Sequence, residues 1–131
     1  MTRSEAREQA FKLVFNRMFN KQSTADEIIN NMTEAGEYEP NDFSAELFKG
    51  VCENVQDIDS LIEKNLVRWT LSRIPKTVLA VLEISVYEIL YREDIPDSVS
   101  INEAVNLSKV YCSDADHSFV NGILGTVARN K

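Results

Sequence analysis

Hydrophobic positions crowd one stretch of this chain more densely than any other. Between Lys76 and Tyr91, Val78, Leu79, Val81, Leu82, Ile84, Val86, Ile89 and Leu90 point in nearly every direction at about 100° per residue. Only a narrow strip, Lys76, Ala80, Glu83 and Tyr87, is left for solvent or a partner. A helix apolar over most of its circumference is a core helix surrounded by its neighbours. It spans roughly 24 Å at ~1.5 Å per residue, too short and too charged for a membrane span. Pro75 suits its first turn, where a missing N–H costs nothing.

The remaining pattern is helical on both sides of that hub. Thr2–Glu5 has capping-box spacing and opens a helix to about Phe19, with Ala6, Ala10, Phe11, Leu13, Val14, Phe15, Met18 and Phe19 on a broad apolar arc. Arg7 projects within that arc, so its permanent charge needs a partner, Glu88 or Glu103, or an exit to the surface. Thr24–Glu27 repeats the capping box, Ile28, Ile29 and Met32 give a short stripe, and Gly36 ends it. Asp42 can cap a third helix carrying Phe43, Leu47, Phe48, Val51 and Val55. A fourth follows around Ile58–Leu66 with Asp57 or Asp59 near its start. Trp69–Ile74 connects to the hub. Beyond it, Ser100–Glu103 is a third capping box for a helix ending near Tyr111. Asp114 or Asp116 caps a last one, where Val120, Ile123, Leu124, Val127 and Ala128 share a face. Gly122 and Gly125 in that last stripe cost helix propensity, and close helix–helix approach is the expected compensation. Period-two alternation bounded by hairpin turns is missing. The pattern predicts about seven helices and an all-α fold of one domain, with N-terminal helices over about 1–67 and C-terminal helices over about 72–130.

Composition narrows the function classes. The 131 residues suffice for one domain with a real core. The start of the chain is an amphipathic helix rather than an apolar leader, and Cys52 and Cys112 sit in predicted helices as small buried residues. Both features fit a reduced, cytoplasmic protein without membrane association. The net charge of −7 opposes nucleic-acid binding. Its distribution does not: Arg3, Arg7, Lys12, Arg17 and Lys21 dominate the first 22 residues, acids dominate from Asp26 to Glu63, and Lys64, Arg68, Arg73 and Lys76 follow before the next acid, Glu83.

Enzymatic chemistry finds little support. Phosphate-cradling glycine loops are absent, His117 is the sole histidine, and neither cysteine has a neighbour at metal-ligand spacing, so neither cofactor nor metal is expected. Glu88 and Glu103 flank the core and fit an ion pair with Arg7 better than acid catalysis. Arg3, Arg7, Lys12 and Arg17, interleaved with Phe11, Phe15 and Phe19, mix phosphate ligands with rings able to stack bases. Most of these rings belong to the core. Phe15 and Phe119 lie toward the margins of their arcs and are the candidates for exposure.

Five motifs, in order and spacing, carry a family resemblance: Trp69-Thr-Leu-Ser-Arg-Ile-Pro-Lys76, Val81-Leu-Glu-Ile-Ser-Val-Tyr-Glu88, Asp94-Ile-Pro96, Ser100-Ile-Asn-Glu-Ala-Val105 and Phe119-Val-Asn-Gly122. With Arg7–Phe15, they make the chain resemble the NusB family of bacterial transcription antitermination factors. The resemblance implies an all-helical fold of two small, roughly perpendicular bundles. It also implies binding of boxA RNA, mainly in a heterodimer with NusE, a small-subunit ribosomal protein, within the RNA polymerase antitermination complex that supports ribosomal RNA synthesis. It further implies Arg3, Arg7, Phe15, Lys76 and Phe119 as RNA-binding residues. Three features depart from the family pattern: Ser4 and Glu5 interrupt the N-terminal arginines, Glu83 replaces a usual arginine, and Ser118 a common lysine. Each removes favourable charge from the implied RNA surface, so weak binding is expected without the partner. A helical protein–protein adaptor with little RNA binding of its own is the alternative. A fragment of an RNA methyltransferase is a third reading, disfavoured because no cofactor loop or second domain follows. Homodimerisation is left open by the sequence.

Overall fold

Two threonines start the first two helices. Thr2 Oγ1 accepts from the Glu5 N–H at 3.1 Å while Glu5 Oε1 accepts from the Thr2 N–H at 3.0 Å, opening α1 (Arg3–Met18). Thr24 and Glu27 repeat the arrangement for α2 (Ala25–Glu34), and Gly36, at φ 73°, turns the chain out of it. The computed structural model describes residues 1–131. It continues with α3 (Asp42–Lys64), a short 3-10 turn (Leu71–Arg73), α4 (Lys76–Tyr91), α5 (Asp97–Tyr111) and α6 (Asp116–Arg129), and contains no strand.

The helix count is six rather than about seven, because the expected third and fourth helices are one. They join through a kink at Asn54 (φ −120°, ψ 15°), whose side-chain amide donates to the Gly50 carbonyl at 2.8 Å. An asparagine that bonds the preceding turn distorts a helix without ending it. Three caps also move. Asn41, not Asp42, caps α3, its side chain accepting from the Ser44 N–H at 3.0 Å. Helix α5 begins three residues before Ser100, which is therefore helical and buried. Asp116 is the first residue of α6 and reaches back to the Ser113 N–H and hydroxyl.

Helix α4 is the hub, packed against α1, α3, α5 and α6. The strip expected to remain free is covered. Ala80, Glu83 and Tyr87 are all buried, and only Lys76 at its N-terminal end stays exposed. Helix α3 does the covering, and Gly50 is what lets it approach: a Cβ there would overlap the Tyr87 ring. Close approach was expected instead at Gly122 and Gly125. Gly122 is exposed with nothing within 4 Å of a built Cβ, and Gly125 meets only the tip of Arg129.

One buried ion pair ties α1 to α4. Arg7 donates from Nε and Nη2 to the two oxygens of Glu88, at 2.8 and 2.9 Å, and Ser100 Oγ donates to the same carboxylate at 3.0 Å. Arg7 is 4% exposed and Glu88 1%, so the pair is desolvated and every carboxylate oxygen is bonded. The other acid considered, Glu103, accepts from Ser4 Oγ at the surface. Arg7, near the start of α1, meets Glu88, near the end of α4, and Phe19, at the end of α1, lies beside Lys76 at the start of α4, so the two helices run antiparallel. The end of α1 therefore meets the start of α4.

Candidate nucleic-acid interface

That meeting point gathers exposed rings and cations. The aromatic positions of α1 form a row from the interior outward. Tyr111 stacks on Phe11 at 4.5 Å between centroids, Phe11 on Phe15 at 6.0 Å, and Phe15 meets Phe19 edge-on at 5.1 Å. Phe11 is buried, Phe15 half-buried and Phe19 59% exposed, with Lys76 Nζ 5.9 Å from the Phe19 centroid. Also beside the start of α4 lies an open cleft of about 300 Å³, with Trp69, Arg73, Pro75, Phe119 and one acid, Asp116, among its walls. Trp69 and Phe119 also wall the adjoining hollow with Arg68. Helix α4 begins at Pro75 without a side-chain cap, so its first N–H groups add a positive end between the two aromatic clusters.

Of the five residues implied at the RNA surface, three come together here: Phe15 and Lys76 in one cluster at the start of α4, Phe119 in the other. Arg3 is exposed but distant. Twelve residues separate it from Phe15, about 18 Å along α1, and its guanidinium lies 4.0 Å from the centroid of Phe43. Arg7 is interior, its guanidinium committed to Glu88. Phe19, which the sequence groups with the rings able to stack bases but not with the candidates for exposure, and Trp69, which it reads only as part of a connector and motif, are the most exposed rings here. Phe19 completes an apolar arc and reads as core, yet α1 stops at Met18 and only Phe15 and Lys76 border the ring, which stays 59% exposed.

Glu83 does not carry the surface charge that its place in the sequence implies. It stands not on the surface but 2% exposed between α4 and α3, facing Asp59. Burial, then a hydrogen bond to Asp59 and the charge of Asp59, push its carboxyl up to about 10, against a smaller opposing pull from Arg17 and Lys21. Glu83 is thus held toward its neutral form beside Asp59, whose buried Oδ1 has no hydrogen-bond partner of its own. It therefore does not repel a polyanion. Ser118 is exposed, so a lysine there would add a surface charge that this chain lacks.

Other chemistry is weakly represented. Burial pushes the thiols of Cys52 and Cys112 up from their ordinary value, away from the thiolate that nucleophilic attack needs. No group of three or more histidine, cysteine or acidic side chains is placed to hold a metal ion. No helix is long and apolar enough to cross a membrane.

Comparison with known proteins identifies the family of the chain. The model of the NusB family matches residues 4–129. The transcription antitermination protein NusB of Clostridium novyi is 41% identical over 133 residues, covering 98% of this chain and 99% of its own. Among solved structures, T. maritima NusB superposes with a TM-score of 0.88 at 30% identity, covering 99% of this chain and 92% of that one. The NusB chain of a complex of antitermination factors NusB and NusE with dsRNA superposes with a TM-score of 0.84 at 22% identity over the whole of both chains, a likeness of fold.

Proposed function

This chain belongs to the NusB family, and on that premise we propose that it is a transcription antitermination factor that binds RNA together with NusE. The observation that carries the reading is the convergence of Phe15, Phe119 and Lys76 around the uncapped start of α4. Rings offer faces to bases, and cations neutralise phosphates, the two needs of single-strand binding. BoxA RNA is the element this surface serves, and the RNA polymerase antitermination complex is its setting. Arg3, exposed at the far end of α1, extends the cationic surface in one direction. Arg7 serves the fold. The protein acts in the cytoplasm by binding, without catalysing a reaction.

The net charge of −7 makes the isolated protein a weak RNA ligand, and a basic partner offsets that charge. Titration of boxA RNA against the protein, with and without NusE, tests this. Clear tightening with NusE is expected. Phe119→Ala weakens the partnered complex by about 1–3 kcal/mol if the ring stacks on a base, with little change in salt dependence. An NusE complex whose RNA affinity ignores Phe119→Ala and Lys76→Gln favours the adaptor reading.

A further inference from the structure

We propose that Phe19, held beside the Lys76 ammonium, is a base-stacking platform of the RNA surface. The inference rests on the RNA-binding reading and adds a ring to it. Phe19 is the C-cap of α1, and its N–H bonds the carbonyls of Asn16 and Arg17, so its backbone is fixed. The ring leans on Phe15, which stacks on Phe11 and through it on Tyr111. A ring 59% exposed at the end of a row anchored in the core costs little entropy to order when a planar ligand arrives.

The local charge identifies the ligand as a polyanion. From Gln9 to Ala25 the chain carries Lys12, Arg17 and Lys21 and no acid, and from Arg68 to Leu82 it carries Arg68, Arg73 and Lys76 and no acid. These two stretches meet where Lys76 reaches Phe19. The next acid along α4, Glu83, is buried against Asp59. Acids do reach the edges of this field, Asp116 in the cleft beside Phe119 and Glu37 in the hollow beside Phe15, but cations dominate. Exposed aromatic faces in a mainly cationic field are what a nucleotide strand uses, base on ring and phosphate on ammonium. An apolar contact for a protein partner needs only bulk at this position and gives the test its contrast.

The experiment uses the full chain with NusE and boxA RNA, and compares Phe19→Leu, Phe19→Trp and Lys76→Gln. Leucine keeps apolar bulk and removes the ring. Phe19→Leu is expected to weaken RNA binding about 5- to 150-fold without changing the salt slope. Phe19→Trp restores binding, and Lys76→Gln makes the slope shallower by about 0.7. NusE affinity, measured without RNA, stays at the wild-type value in all three. Wild-type RNA affinity in Phe19→Leu while Lys76→Gln weakens binding overturns the inference and leaves the RNA reading standing. Loss of NusE affinity in Phe19→Leu also overturns it, making the ring a protein contact. Failure of the wild-type complex to bind RNA removes both.

Discussion

Replacing Arg7 with alanine strikes the one place where a charge in the interior depends on a single partner. In the wild type the Glu88 carboxylate, 1% exposed, accepts two bonds from Arg7 and one from Ser100. Arg7→Ala leaves the hydroxyl alone facing a buried charge. Two charge-assisted bonds at about 1.5–3 kcal/mol each set the upper scale, and breaking buried pairs typically costs about 3–5 kcal/mol. We expect a loss in that range, a large share of the roughly 5–15 kcal/mol that holds a domain together. Urea denaturation at pH 7, followed by far-UV circular dichroism, reads it as a lowered midpoint at nearly constant m. Arg7→Lys should cost less but still measurably, because an ammonium cannot supply the two parallel bonds. The double variant Arg7→Met/Glu88→Leu should recover most of the loss, since the charge goes with its partner. A loss below about 1 kcal/mol for Arg7→Ala would refute the reasoning, placing the side chain among exposed pairs of small value.

Three further outcomes follow from the surroundings of single side chains. Glu83→Gln keeps a donor to Asp59 without the titration. The raised carboxyl is a folded-state proton held while the unfolded chain releases its own, so wild-type stability falls as pH rises from about 4.5 toward about 10, by up to about 1.4 kcal/mol per unit. The variant should lose that slope and gain on the wild type at pH 8, and identical pH–stability curves would show that the pair does not share a proton. Gly50→Ala should destabilise by about 1–3 kcal/mol, because the Tyr87 ring occupies the space of the new methyl; thermal melts check it, and an unchanged Tm means α3 can shift away. Gly122→Ala, by contrast, should stabilise by about 1 kcal/mol, since the position is an exposed helix interior with nothing to clash, and a destabilised variant would reveal a constraint on that glycine.

What the sequence revealed and what it hid divide along a physical line. Periodicity and capping chemistry are local, so α1, α2 and the hub α4 are legible almost to the residue. The need of Arg7 for a carboxylate is legible because an arginine inside an apolar arc demands one, though periodicity leaves Glu88 and Glu103 both open and packing selects Glu88. The covered strip of α4 is not, since whether Ala80, Glu83 and Tyr87 face water depends on how closely α3 approaches, and a single glycine decides that. The same logic hid the state of Glu83, which reads as a surface charge by spacing and becomes a buried acid only in three dimensions. Phe19 shows the converse: membership of an apolar arc predicts burial only where another element covers the arc. Phe15 and Phe119 are legible at the margins of their apolar arcs and Lys76 only from the resemblance, while their convergence depends on how α1 and α6 each pack on α4.

The central claim is RNA recognition by the partnered protein, and the most direct measurement is the affinity of its NusE complex for boxA RNA and for a scrambled strand across a salt series. The account predicts tighter binding of boxA. It also predicts that adding this protein to NusE steepens the log–log salt slope by roughly −2 to −3, for three to four phosphates neutralised at about −0.7 each. Lys76→Gln should make that slope shallower, and Phe119→Ala should weaken affinity at unchanged slope. Equal binding of both RNAs, indifferent to both substitutions, would contradict it.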